Sequence, residues 1–146
     1  MNGSSFVAFL LRSPLHGVMN GSTLLITVTG SKTGRLITTP VNYYREGDTL
    51  WVLTYRERTW WRNLRKGAAV KLLLNGKELS AYAEAITAAQ DVSKQIGEYV
   101  HRLPISAKPL GIRMQDGNPD QEDLARAAQD RLMVKLTLTQ AVHPAA

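Results

Sequence analysis

The chain has no cysteine. That excludes disulfides, thiolate catalysis and cysteine-ligated zinc or iron–sulfur centres. Histidine is scarce: three residues, His16, His101 and His143, with no two at a metal-ligand spacing. No metal site is expected. No apolar run approaches the roughly 18 residues a membrane span requires; the longest, Phe6 to Leu11, is far shorter. Residues 1–10 carry no Lys or Arg, which argues against a secretory signal. Repeats, low-complexity stretches and linkers are also missing. The 146 residues, 44% hydrophobic and 21% charged, suit one domain with a real core, over 1–146.

What is present in excess is positive charge, and it has a location. The net charge is +6, but ten bases face three acids between residues 32 and 77, so that stretch alone carries +7 and the rest −1. A solvated basic face or an anionic partner would explain it.

The pattern of elements is mostly β. Residues 4–11 read as a short helix within a lead-in covering 1–20. Leu24–Thr29 is a β-branched apolar strand. Thr38–Tyr44 is a second strand, in which Pro40 calls for an edge or a bulge. Arg45-Glu46-Gly47-Asp48 turns the chain into a third strand, Thr49–Thr54. Trp60–Lys66 is a short helix closed by Gly67. Val70–Leu74 and Lys77–Ala85 form a hairpin about Asn75-Gly76. Thr87 to Gln90 has the form of a capping box, and the helix after it aligns Val92, Ile96, Tyr99, Val100 and Leu103. Residues 104–118 read as loop, Asn118-Pro119 as the start of another helix, and Leu132–Leu138 as a last strand with one buried face. Residues 87–130 thus form a helical insertion before the last strand. Consecutive strands on tight turns predict a six-stranded antiparallel sheet, closed into a small barrel because that removes its exposed edges.

Two segments stand out chemically. Gly30-Ser31-Lys32-Thr33-Gly34-Arg35 joins the first two strands and combines flexible backbone, hydroxyls and charge, as an anion nest or as an ordinary charged loop. Thr59-Trp60-Trp61-Arg62-Asn63-Leu64 opens the short helix, whose N-terminus would attract an anion beside Arg56, Arg58 and Arg62. The basic residues lie in turns rather than along one helix, and the aromatics form no ribonucleoprotein signature, so nucleic acid is not the expected partner. Tyr43, Tyr44, Tyr55, Tyr82 and Tyr99 are candidate proton donors or packing residues.

Leu11-Arg12-Ser13-Pro14-Leu15-His16, Leu24 to Arg35 with its Gly-x-Lys-Thr-Gly-Arg loop, Thr38-Thr39-Pro40-Val41-Asn42-Tyr43, and Trp60-Trp61-Arg62-Asn63-Leu64-Arg65 resemble the deazaflavin-dependent nitroreductase family. The resemblance covers about residues 10–75. It implies the split β-barrel shared with pyridoxamine phosphate oxidase-like flavin-binding proteins, often homodimeric, with a cofactor cleft near the subunit interface. It implies that Lys32, Thr33 and Arg35 lie near the cofactor's anionic tail, with Arg58, Trp61, Arg62 and Asn63 close by. Thr38, Thr39, Pro40 and Val41 would run along the ring. Among the tyrosines, Tyr55 is the candidate proton donor. The function implied is a cytoplasmic oxidoreductase passing hydride from a reduced deazaflavin (coenzyme F-420) to a quinone, enone or nitroaromatic. The segment Thr54 to Thr59 is shorter than the family's loop and lacks its glycine and proline, and Arg62 stands where histidine is frequent. Those departures leave flavin mononucleotide (FMN) as an alternative cofactor. They also leave a non-catalytic module for haem, another tetrapyrrole or a fatty acid as an alternative function. No stable membrane insertion is expected.

Overall fold

A computed structural model describes residues 23–139. The expected helix at 4–11, the segment Leu11 to His16, and His143 lie outside the described residues. The strands are β1 (Thr23–Thr29), β2 (Leu36–Glu46), β3 (Thr49–Tyr55), β4 (Ala68–Leu74), β5 (Lys77–Ile86) and β8 (Arg131–Leu138). All pairings are antiparallel and they close a barrel in the order β1-β2-β3-β8-β5-β4. Between β5 and β8 come helix α1 (Ala89–Arg102), a two-stranded ribbon of β6 (Met114–Gln115) and β7 (Asn118–Pro119), and helix α2 (Gln121–Asp130).

Period-two alternation explains the core. Leu24, Ile26 and Val28 of β1 point inward with Leu50 and Val52 of β3, and with Leu132, Val134 and Leu136 of β8. Each such side chain contributes roughly 1.5–3 kcal/mol when fully buried. The last strand was expected to bury one face only. Met133, on the opposite face from Val134, is nevertheless 0% exposed, because α1 and α2 pack over the outside of β8. The buried stripe of α1 is Val92, Ile96, Tyr99 and Val100, with Leu103 half-buried.

Several expectations need correction. The Thr87–Gln90 capping box does not form: Ala88 is the N-cap, without a side-chain hydrogen bond, and the Thr87 carbonyl instead accepts from Arg56 Nη2 at 2.9 Å. Asn118-Pro119 belongs to the ribbon, and α2 starts two residues later. Its cap is Asp120, whose side chain accepts from the Asp123 amide at 3.0 Å. The expected helix at 60–66 is a five-residue 3-10 turn, Trp60–Leu64. It is still closed by Gly67, at φ +84°, with the Tyr82 ring packed where a Cβ would stand. The Asn75-Gly76 turn has φ values of 52° and 79°, the mirror-image turn that matches strand twist.

Candidate functional site

The site begins with a proline. The β2–β3 ladder runs from Glu46↔Thr49 to Asn42↔Leu53 and stops. Continuing that register would set Val41 against Thr54 and Pro40 against Tyr55. Pro40 has no N–H to give to a ladder, so the strands part there. On its other side Pro40 stays paired with Leu25 of β1. The edge position expected for this residue is thus a seam in the barrel wall.

A cleft of ≈ 160 Å³ occupies the seam. Thr23, Pro40, Val41 and Asn42 form one wall; Leu53, Thr54 and Tyr55 form the other; Arg58 and Trp60 close the end. Because residues alternate along a strand, Thr38 and Pro40 share the outer face of β2 while Thr39 and Val41 share the inner one. Of the four residues expected along a ring, Pro40 and Val41 line this cleft. The Thr38 hydroxyl is paired with Thr27 Oγ1 at 2.7 Å.

The loop between β1 and β2 is ordered by its own backbone. The Gly30 amide donates to the Arg35 carbonyl at 2.7 Å, and the Gly34 amide to the Gly30 carbonyl at 2.9 Å. The Arg35 amide donates to Thr33 Oγ1 at 3.2 Å. Asn63 ties this loop to the Trp60–Leu64 turn. Its Oδ1 accepts from the Ser31 amide at 2.9 Å, while its Nδ2 donates to the Trp60 carbonyl at 3.0 Å. The segment bearing Lys32, Thr33 and Arg35 is therefore joined to the one bearing Arg62 and Asn63, and Trp60 of the same turn walls the cleft. Lys32, Arg35, Arg58 and Arg62 are exposed, and among the described residues none has a carboxylate partner.

Other basic residues of the segment are engaged structurally. Arg56 donates to the Ala128 carbonyl at the C-terminal end of α2 and to that of Thr87. A five-residue 3-10 turn aligns few peptide dipoles, so positive potential here comes from arginine side chains rather than a helix terminus. Trp61 is buried behind the site. Its indole N–H donates to the Arg56 carbonyl at 3.2 Å, and Arg62 and Arg65 lie over its ring at 5.8 and 5.3 Å. Of the two tryptophans, the one that lines the cleft is Trp60.

Tyr55 lines the cleft and is 44% exposed. Its hydroxyl accepts from Arg131 Nη2 at 3.2 Å, and the guanidinium lies 4.7 Å from the ring centroid. Arg131 was not foreseen; its proximity follows from the β3–β8 register, Tyr55↔Arg131. The other tyrosines are differently placed. Tyr44 packs edge-on against Tyr99 under α1, and burial, helped by Glu46 and Glu98, pushes its phenol up to about 12. Burial likewise raises Tyr43 and Tyr99.

Among the described residues, two buried side-chain oxygens have no hydrogen-bond partner: Thr23 Oγ1 and Asn42 Oδ1. They belong to facing residues of β1 and β2, and both residues line the cleft. A polar-edged, anionic, planar molecule fits such a place: polar residues in the wall, with Trp60 and Arg58 at the end. Lys32, Arg35 and Arg62 stand outside the cleft lining, on the loop and turn that Asn63 joins. A larger depression of ≈ 610 Å³ lies around the β6–β7 ribbon, but its Arg113 and Asp120 are already engaged with each other and with Asp123.

A closed antiparallel barrel opened at one seam defines the split-barrel class. Solved structures agree. A candidate pyridoxamine 5′-phosphate oxidase from Listeria innocua superposes with a TM-score of 0.55 at 12% identity, covering 86% of this chain and 91% of that one. The heme storage protein HutZ from Vibrio cholerae gives 0.52 at 15%, covering 89% and 91%. The general stress FMN/FAD binding protein of Xanthomonas citri gives 0.50 at 18%, covering 82% and 77%. At such identities the likeness is one of fold. No curated protein matches the sequence. The sequence itself goes further: residues 12–100 match the profile of the F420H(2)-dependent quinone reductases. The chain belongs to that family, and so to the oxidoreductases that use the deazaflavin F420. No helix among the described residues is long and apolar enough to cross a membrane.

Proposed function

We propose that this protein transfers a hydride from reduced F420 to a planar electrophile, a quinone first of all, with enones and nitroaromatics as further acceptors. The observation that carries this reading is the Asn63 bridge, which sets an unpaired basic loop and turn beside a cleft opened by Pro40. Reduced F420, when bound, supplies the hydride at its ring carbon. The chain supplies the rest. Lys32, Arg35, Arg58 and Arg62 hold the anionic tail, with Thr33 and Asn63 as hydrogen-bond partners. Pro40, on the outer face of β2, offers an apolar wall to the ring, Val41 backs it from the inner face, and Thr38 and Thr39 continue the strand toward the tail. Trp60 and Leu53 shield the ring from water, and Trp61 braces the turn from behind.

Reducing a quinone to its quinol takes one hydride and one proton. Tyr55 is the donor of that proton. Its oxygen already accepts from Arg131, so its own hydrogen is left to give. The protein acts as a homodimer in the cytoplasm.

The test is a fluorescence titration of F420 against the wild-type protein and the double variant Lys32→Ala/Arg35→Ala. Two lost charge-assisted contacts are expected to weaken binding at least about tenfold, less so at high salt. Affinity retained within about twofold, roughly 0.4 kcal/mol, would remove the tail assignment.

A further inference from the structure

The side-chain oxygens Thr23 Oγ1 and Asn42 Oδ1 make no hydrogen bond among the described residues. A buried polar atom left without a partner costs about 1–3 kcal/mol, and the two residues that carry these atoms line the same cleft. Pro40, Val41, Leu53 and Trp60 line the cleft beside them together with Thr54, Tyr55 and Arg58, and none of these gives either atom a partner. Elsewhere the fold does satisfy buried polar side chains: the Asp123 carboxylate accepts from Arg113 and Arg126.

The chemistry of the two atoms specifies what would satisfy them. Asn42 Oδ1 only accepts, so it asks for an N–H. The Thr23 hydroxyl can donate, so it suits a carbonyl. The two residues face each other across β1 and β2, so the N–H and carbonyl should be neighbours on one rigid edge. A quinone has carbonyls but no N–H. The pyrimidinedione ring of a deazaflavin has an imide edge, with an N–H between two carbonyls.

We propose that Asn42 and Thr23 are cofactor-selecting residues, which together bind the imide edge of the deazaflavin ring and thereby assign this cleft to the cofactor rather than to the acceptor. This rests on the F420 reading above. It adds that affinity is divided between a charged rim for the tail and a neutral, buried pair for the ring.

The experiment is a cycle of ligand and protein changes, read by fluorescence binding without turnover. The ligands are F420 and its imide N-methyl derivative; the proteins are wild type, Asn42→Leu and Thr23→Val. Wild type should bind the methylated ligand roughly tenfold more weakly. Asn42→Leu should bind F420 roughly tenfold more weakly and no longer distinguish the two ligands. Thr23→Val, close to an isostere, should weaken both ligands alike. Melting of the ligand-free proteins gives a second readout. Neither variant should melt below wild type, because each removes an unpaired buried polar atom. Discrimination against the methylated ligand that persists in Asn42→Leu would overturn the assignment, as would lower melting temperatures in both variants. Failure of wild type to bind F420 at all would instead overturn the cofactor reading on which it rests.

Discussion

The helical cover and the cleft both lie on the outside of one barrel, and they treat polar groups in opposite ways. Under the cover, Asp123 is 2% exposed. Its carboxylate accepts from the Arg113 amide and Nε, each at 2.9 Å, and from Arg126 Nη1 at 2.9 Å. Glu46 meets Arg102 at 2.8 Å, and Gln95 Nε2 donates to the Tyr44 hydroxyl at 3.0 Å. In the cleft, Thr23 Oγ1 and Asn42 Oδ1 have no hydrogen-bond partner among the described residues, and Arg58 there, like Lys32, Arg35 and Arg62 on the joined loop and turn, has no carboxylate. Polar groups that hold a fold together are satisfied within it. Groups kept for a ligand are left open, at a cost in stability that the ligand repays.

The comparison breaks most sharply at Asp123. Asp123→Asn removes the charge that Arg113 and Arg126 share and that joins α2 to the chain before the ribbon. It should give the largest loss of melting temperature of any change considered, with faster hydrogen exchange across residues 113–130. The sign with pH is fixed. Arg113 holds the Asp123 carboxyl far below the usual carboxylate range. Its stabilisation is therefore present above about pH 4 and is lost as pH falls toward the depressed folded value. Thermal melts at pH 7 and pH 3 should show the gap between wild type and variant closing in acid. An unchanged gap would mean that the carboxylate is not what holds the insertion.

A smaller effect tests the same cover from the alkaline side. Tyr44→Phe gives up the Gln95 hydrogen bond, worth about 1 kcal/mol at neutral pH. The folded phenol titrates at about 12, against 10.0 for the ordinary group. Wild type should thus hold the Tyr44 contribution below pH 10 and lose it between 10 and 12. Phenylalanine cannot ionise, so the variant's urea midpoint should fall less steeply over that interval. Some slope should persist, because Tyr43 and Tyr99 are also raised by burial. A variant that tracks wild type through the whole interval would place the alkaline sensitivity elsewhere.

Much of the barrel was legible in the sequence because its information is local. The alternation of Leu24, Ile26 and Val28, the Asn75-Gly76 turn and Gly67 each act through a handful of adjacent residues. What escaped was decided at a distance. Met133 is buried by helices that follow other strands, and Arg56 is taken by carbonyls from α2 and Thr87. Asp120 displaced Asn118 as the cap because the ribbon holds Asn118. In the cleft, Pro40 was flagged as an edge residue, but the register that would have set it opposite Tyr55 becomes readable only once the hairpin is closed. Trp60 and Trp61 are neighbours with the same side chain, and only the path of the 3-10 turn puts the first in the cleft and the second behind it. Asn42 gave no signal: unpaired burial is a property of surroundings.

The smallest expected effect on stability sharpens the cleft side of the comparison. Arg131 and Tyr55 meet on a solvent-facing edge, by one hydrogen bond and a cation–π contact, and such exposed pairs are worth about 0.5–1 kcal/mol. Arg131→Lys should therefore leave the melting temperature nearly unchanged. Lysine keeps the charge but loses the planar fork that fixes the phenol oxygen, so quinone reduction should slow severalfold with F420 affinity intact. Tyr55→Phe should slow it further, again without weakening F420 binding. Positioning and proton donation then act through one hydroxyl, so the effects cannot add. In a Tyr55→Phe background, Arg131→Lys should change kcat little. Independent losses in the double variant would separate Arg131 from the proton and leave it as a structural neighbour of the cleft.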